Sequence, residues 1–267
     1  MNHLLRSLAP ISDAGWKLID GEARERLTAA LAARKLVDFS GPNGWEHSAT
    51  NIGRTTPLAS APCEGVTAVQ RRVLPLVELR ADFEISLGEL RDADRGAEDA
   101  NLDALDEAAH RMAVAENIAV FHGWSDASIA GVAGSSSHDP LRLDGAPDSY
   151  PRSVAAAVQR LMRSGIDGPY ALALGGEQYQ LVVETAEHGG YPLLDHLRKI
   201  LEGPIVWSPG VRGAVVLSLR GGDFMFDCGL DLSVGYAGHD GDVVRLYIEE
   251  SFSFHVATSE AAVALEA

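Results

Sequence analysis

Early in the chain, apolar residues recur at helical spacing. Trp16, Ile19, Ala23, Leu27, Ala30 and Leu31 follow at steps of three and four, which predicts a helix opened by Ser12 after Pro10. Glu22, Arg24 and Glu25 fall on its other faces. The run Leu36-Val37-Asp38-Phe39 then alternates as a short strand does, and Ser40-Gly41-Pro42-Asn43-Gly44 stops it with turn chemistry. A second stripe (Leu102, Leu105, Ala109, Met112, Ala113, Val120) predicts a long helix capped by Asn101, with its carboxylates off the stripe. A third helix opens at Pro151, faces inward with Val154, Val158, Leu161 and Met162, and ends at Gly165. Short helices are expected over 177–184 and from Pro192 to Leu201. Strands are expected over 73–79, 170–174, 205–207, 214–219, 243–248 and 251–256.

Residues 48–80 stand apart. They show no helical period and no clear hairpin turn, and about thirty such residues are unusual inside a compact domain. A segment of this kind is mobile or finds its partners on another chain. The tally of about five helices and eight strands, without regular βαβ alternation, gives an α+β class.

Composition narrows the function classes. The 267 residues carry 22 Lys+Arg against 38 Asp+Glu, a formal charge of −16, which disfavours a general nucleic-acid binder. No run of about 20 apolar residues is present, so no spanning helix is expected. The first residues, Met1-Asn2-His3-Leu4-Leu5-Arg6, lack the apolar core of a signal peptide. Cys63 and Cys228 fit neither a disulfide framework nor a zinc site, and read as two reduced cysteines of a cytoplasmic protein.

Catalytic patterns are missing. There is no phosphate-binding loop, dinucleotide fingerprint, H-E-x-x-H or G-x-S-x-G elbow. Ser136 and His138, two residues apart in a small-residue loop, are the nearest approach to a nucleophile and base. The nine histidines form no i, i+4 pair, so neither a metal nor another cofactor is expected. The carboxylate pairs Asp92/Asp94 and Glu249/Glu250 read as solvated surface.

Several segments, taken in order, resemble the encapsulins, the bacterial nanocompartment shell proteins of the linocin-type bacteriocin family. They include Leu8-Ala9-Pro10, Ala33-Arg34-Lys35-Leu36-Val37-Asp38, Gly41-Pro42-Asn43-Gly44-Trp45-Glu46 and Pro75-Leu76-Val77-Glu78-Leu79-Arg80. Phe121-His122-Gly123-Trp124, Gly168-Pro169-Tyr170, Arg220-Gly221-Gly222-Asp223-Phe224, Asp231-Leu232-Ser233-Val234-Gly235-Tyr236 and Glu249-Glu250-Ser251-Phe252-Ser253-Phe254 continue the match.

The resemblance implies an α+β, HK97-type phage major-capsid fold with a peripheral domain, an axial domain and an extended loop. Residues 1–47 would start the peripheral domain, 48–80 form the extended loop on a neighbouring subunit, and 81–130 supply the long helix. Residues 131–222 would be the axial domain, and 223–267 return to the peripheral domain. It further implies a non-catalytic, self-assembling icosahedral shell of sixty copies. That shell would enclose a dye-decolourising peroxidase or a ferritin-like iron oxidase, recruited by a C-terminal targeting peptide. Ile11, Arg34, Asp38, Asp231, Val234 and Tyr236 match the peptide-binding positions, unless Arg34 and Asp38 simply pair with each other. Glu187, His188, Gly189, Gly190 and Tyr191 match the loop lining a fivefold pore, and a solvated loop tip is the alternative. A capsid packaging nucleic acid and a serine hydrolase built on Ser136 and His138 remain the competing functions.

Overall fold

The computed structural model describes residues 3–143, 146–186 and 190–266. The first helix, α1 (Asp13–Ala30), is capped as its sequence predicts, with the Ser12 hydroxyl accepting from Gly15 N at 2.9 Å. Trp16, Ile19, Ala23, Leu27 and Ala30 form its buried face. A short strand, β1 (Asp38–Ser40), follows.

The 48–80 stretch corrects one expectation. β2 (Ala49–Pro57) and β3 (Val69–Pro75) pair antiparallel into a ribbon, and β4 (Val77–Ser86) comes next. The hairpin escapes the sequence pattern because its strands are joined by a long segment, 58–68, instead of a two-residue turn. Both faces of the ribbon meet solvent: Val69 is 60% exposed and Val73 48%.

α2 (Leu87–Asp94) leads to the long helix α3 (Asp103–Phe121), where Asn101 Oδ1 accepts from Asp103 N at 3.0 Å. After α4 (Val132–Ser135) and β5 (Leu141–Arg142) come α5 (Tyr150–Arg163), β6 (Tyr170–Leu174), α6 (Gly176–Glu184) and α7 (Leu193–Leu201). The chain closes with β7 (Ile205–Trp207), β8 (Ala214–Ser218), β9 (Phe224–Cys228), β10 (Ser233–Asp240), β11 (Val243–Val256) and β12 (Ala262–Glu266).

β11 is the axis of the first sheet. β9 and β10 lie in series along one of its edges, pairing with 252–256 and 243–249, and β4 fills the other edge. The pattern predicts two strands here, but Glu249-Glu250 interrupts only the apolar alternation, and the backbone runs straight through. The second sheet has the order β5-β12-β8-β6-β7, with every residue of β6 and β8 buried. α5 and α7 pack on it through Val154, Val158, Leu161, Leu193, Leu197 and Leu201. Of residues 223–267, β9, β10 and β11 belong to the first sheet, whereas β12 crosses to the second.

Two hydrophobic cores result. One lies around the second sheet and reaches Phe224, Phe226, Phe252 and Phe254; the other lies between α1, α3 and the β4–β11–β10 face. Helix α3 passes from one to the other. Leu105, Ala109, Met112 and Ala113 sit in the second core and Ala119, Val120 and Phe121 in the first. At the crossing point Glu116 and Asn117 are both fully buried, so the expectation that every α3 carboxylate lies off the apolar stripe fails at Glu116.

Asn117 satisfies its whole hydrogen-bonding capacity there. Its Oδ1 accepts from Ala32 N and Ala33 N at 3.0 Å, and its Nδ2 donates to Ala30 O at 3.0 Å and Pro209 O at 3.1 Å. The side chain thereby terminates α1 and ties it to α3. Asn117→Leu, which keeps the branched shape but orphans these backbone groups, is expected to cost roughly 2–4 kcal/mol in denaturant titrations.

Candidate functional site

Just past α1, the guanidinium of Arg34 collects three carboxylates from distant parts of the chain. Its Nε donates to Glu116 Oε2 on α3 at 2.6 Å, Nη2 to Glu250 Oε2 on β11 at 2.7 Å, and Nη1 to Asp231 Oδ1 at 2.5 Å. Asp231 sits in the gap between β9 and β10, where β11 loses its neighbour on that edge. Phe39 and Phe226 flank the guanidinium at 5.2 and 5.5 Å. Two expectations are corrected here. Arg34 makes no pair with Asp38, and Glu250 is a fully buried partner, not part of a solvated Glu249/Glu250 surface.

Charge balance dictates the protonation. Glu116 and Glu250 each place Oε2 on Arg34, which leaves two buried Oε1 atoms without a donor. Burial raises the pKa of both carboxyls, with Arg34 offsetting it in part, and for Glu250 the proximity of Glu116 pushes further in the same direction. A proton shared between the two carboxyls would supply a donor to these atoms and lower the buried charge. Arg34 stays charged: burial opposes this, but Glu116, Glu250 and Asp231 together outweigh it and raise its pKa. The neighbouring Cys228 thiol is pushed up to about 12 by burial and by the surrounding carboxylates, so it remains a thiol.

Arg34 and Asp231 also form one end of a groove of about 400 Å³ between α1 and β10. Its apolar surface comes from Leu4, Ala23, Leu27, Leu31 and Val234, with Ile248 buried behind them, and its polar residues include Asp20, Arg24, Thr28 and Ser233. The N-terminal segment forms a further wall: Arg6 bonds Asp20 at 2.7 Å and lies 4.0 Å over the Trp16 ring. Leu4 O accepts from Tyr236 N at 2.9 Å.

Of the six peptide-binding positions expected from sequence, Arg34, Asp231 and Val234 line this groove. The other three do not. Ile11 packs at the start of α1 beside Gly15, and the Tyr236 hydroxyl turns to His239 Nδ1 at 2.5 Å. Asp38 instead accepts from Gly222 N at 2.9 Å and Phe224 N at 3.3 Å, which tie β1 to the start of β9. Ala23, Leu27 and Leu31 were visible in the sequence as a stripe at steps of four, yet that stripe reads as core alone. One edge of it is the groove.

Of the expected pore residues, Glu187, His188 and Gly189 lie outside the described residues. Gly190 takes a positive φ of 78°, and the Tyr191 ring lies back against α7, with Lys199 Nζ 4.9 Å from its centroid. Ser136 and His138 do not face each other as nucleophile and base. The Ser136 hydroxyl donates to Ala262 O at 2.8 Å, and His138 Nε2 is 3.0 Å from Glu260 O, so both fasten their loop to the segment around β12.

Two packed units, a long helix through both, a projecting ribbon and a peptide-sized groove describe a tile for a capsid-type shell. Solved structures share this fold. A virus-like particle from Pyrococcus furiosus aligns with a TM-score of 0.64 over 93% of this chain and 98% of that one, at 17% identity. The capsid of an empty GTA particle aligns at 0.55 over 89% of both chains, at 16% identity.

The sequence relatives make the family explicit. Residues 1–253 match the family described as "Encapsulating protein for peroxidase", Linocin_M18. The type 1 encapsulin shell protein of Rhodospirillum rubrum is 46% identical over 270 residues, 99% of this chain and 96% of that protein. Those of Mycobacterium tuberculosis and Brevibacterium linens are 41% and 38% identical, with 99% of each chain covered. The chain belongs to the encapsulin family: it is a shell protein of a capsid-like compartment, and its role is structural and not catalytic.

The buried network carries two predictions. Arg34→Ala leaves two buried carboxyls without their cation and is expected to cost about 3–5 kcal/mol, read as a lowered denaturant midpoint. The pH dependence has a definite sign. Because Glu250 titrates higher folded than unfolded, its contribution is fully present below the ordinary carboxyl range and is lost as pH rises through the folded-state pKa. Glu250→Gln, a neutral donor to Glu116, should therefore flatten the decline of stability toward alkaline pH; an unchanged slope would show that Glu250 is not the titrating group.

Proposed function

We propose that sixty copies close into an icosahedral nanocompartment. It encloses a cargo enzyme, a dye-decolourising peroxidase or a ferritin-like iron oxidase, and so serves oxidative-stress defence or iron storage in the cytoplasm. The cargo is held by a short C-terminal targeting peptide lying in the α1–β10 groove. The observation that carries this reading is the groove itself: an apolar floor from Leu27, Leu31 and Val234, closed at one end by the Arg34–Asp231 pair. Such a floor takes up alternate apolar side chains of an extended peptide, while the groove's polar residues fix its register. The description of the matching family, which names a peroxidase, agrees with that cargo class.

The exposed ribbon of β2 and β3 would lie on a neighbouring subunit, where its solvent-facing valines find apolar partners. The segment Glu187-His188-Gly189-Gly190-Tyr191 would repeat around a fivefold pore, its carboxylates favouring cations over anions. Packaging of nucleic acid is the alternative that the formal charge of −16 opposes.

Calibrated gel filtration is expected to give a megadalton particle with little absorbance at 260 nm; a monomer or dimer would overturn the shell. Val234→Asp places a charge on the groove floor. On co-expression with a peroxidase carrying its native C-terminus, it should lower loading by about tenfold or more while the particle stays intact. Normal loading in that variant would locate the peptide elsewhere.

A further inference from the structure

The ribbon leaves the body of the protein through a narrow root, and one carboxylate gathers that root. Asp227 is on β9, with its side chain 15% exposed. Its Oδ1 accepts from Asn43 Nδ2 at 2.7 Å; its Oδ2 accepts from the Thr50 hydroxyl and lies 2.9 Å from His47 Nε2. Thr50 Oγ1 is in turn 2.6 Å from Ser253 Oγ on β11. One side chain thus joins the segment entering the ribbon (Asn43, His47), the first turn of the ribbon itself (Thr50) and the first sheet.

The root has a second anchor, since β3 runs through Leu76 into β4, which β11 holds, but Asp227 is the side chain that grips the strand entering the ribbon. The ribbon's outward side chains have no core to pack on, and two-stranded ribbons are marginal by themselves. The root pairs Ala49–Asn51 with Val73–Pro75, and the register then breaks between Asn51 and Thr55 before pairing resumes farther out. That irregularity bends and decouples the outer part, so whatever orientation the ribbon holds is fixed below it, where Thr50 meets Asp227. A carboxylate suits the task because it accepts several charge-assisted bonds from different directions at once.

We propose that Asp227 is the positioning residue that fixes the direction in which the ribbon projects from the subunit. Its value to the particle rests on the reading that the ribbon contacts a neighbour, because sixty identical tiles close only if each presents that contact at one angle. The pin itself can be measured without assembly.

Cys63, in the segment joining β2 and β3, is exposed, whereas Cys228 is buried, so Cys63 takes a spin label selectively. With His110→Cys on the exposed face of α3 as the second label position, dipolar spectroscopy on full-length subunits dissociated from the particle, and shown by circular dichroism to stay folded, reads the ribbon's angle as a distance distribution. The wild type is expected to give a narrow distribution and Asp227→Asn one roughly twice as broad, with far-UV circular dichroism unchanged. His47→Gln, which keeps a donor toward the carboxylate, should stay narrow. Superimposable distributions for the wild type and Asp227→Asn would overturn the proposal. Should Asp227→Asn fail to fold, Thr50→Val decides: it leaves the carboxylate and removes its bond to β2, and an unbroadened distribution again overturns the pin. A broadened distribution with normal particle yield would uphold the pin and discard the ribbon as the contact between neighbours.

Discussion

The guanidinium of Arg34, with its three carboxylates, is the constraint on which the packing of both cores depends. Glu116 fixes the rotation of α3 about its own axis, and Glu250 fixes β11 at the junction between its pairings with β9 and β10. Asp231 fixes the chain crossing that junction. Buried ion pairs seldom add much net stability, since desolvation consumes most of the attraction. Their effect here is on choice among packings. Any rotation of α3 or slip of β11 buries a carboxyl away from its cation, and such an arrangement is strongly disfavoured. Asn117, one residue along α3, adds the same demand for neutral partners at the end of α1.

This network also explains which parts of the fold were legible in the sequence. Helices built on apolar stripes were readable, and Ser12 caps α1 as its position indicates; at α3 the N-cap is Leu102, and Asn101 just before it accepts from Asp103 N. The α+β class and the capsid-type architecture followed from segments spread along the whole chain. The β2–β3 hairpin was hidden by its long connecting segment, and a second class of misses depended on buried charge. Glu249-Glu250 looked like a solvated break between two strands because a carboxylate pair on a strand normally faces water. Its true setting requires Arg34, which lies far away in sequence. Glu116 was hidden in the same way. Of the residues expected to bind a peptide, Arg34, Asp231 and Val234 come together along the groove. Ile11, Asp38 and Tyr236 are instead used for local packing and backbone bonds.

A chain with a formal charge of −16 assembles against its own field. Shell formation in such a protein has to come from shape and apolar contact, with salt moderating the repulsion. The groove shows the same economy on a smaller scale. Arg6, Asp20, Arg34 and Asp231 are paired around it, which leaves its floor for apolar contact.

The placement of β11 has one more consequence, for aggregation. A shell-forming subunit spends its early life at high local concentration beside many copies of itself, the condition under which open strand edges pair indiscriminately. The longest strand of this protein is paired on both sides over most of its length, by β4 over 243–252 and by β10 and β9 in turn over 243–249 and 252–256. Two of the strands left outermost in this sheet are poor templates. β1 has three residues, and the register of β10 breaks between Tyr236 and Gly238, where the N-terminal segment also occupies the Tyr236 amide through Leu4 O. Indiscriminate pairing through β11, β1 and β10 is thus discouraged inside each tile before any two tiles meet, and the ten-residue β4 is the edge left to pair.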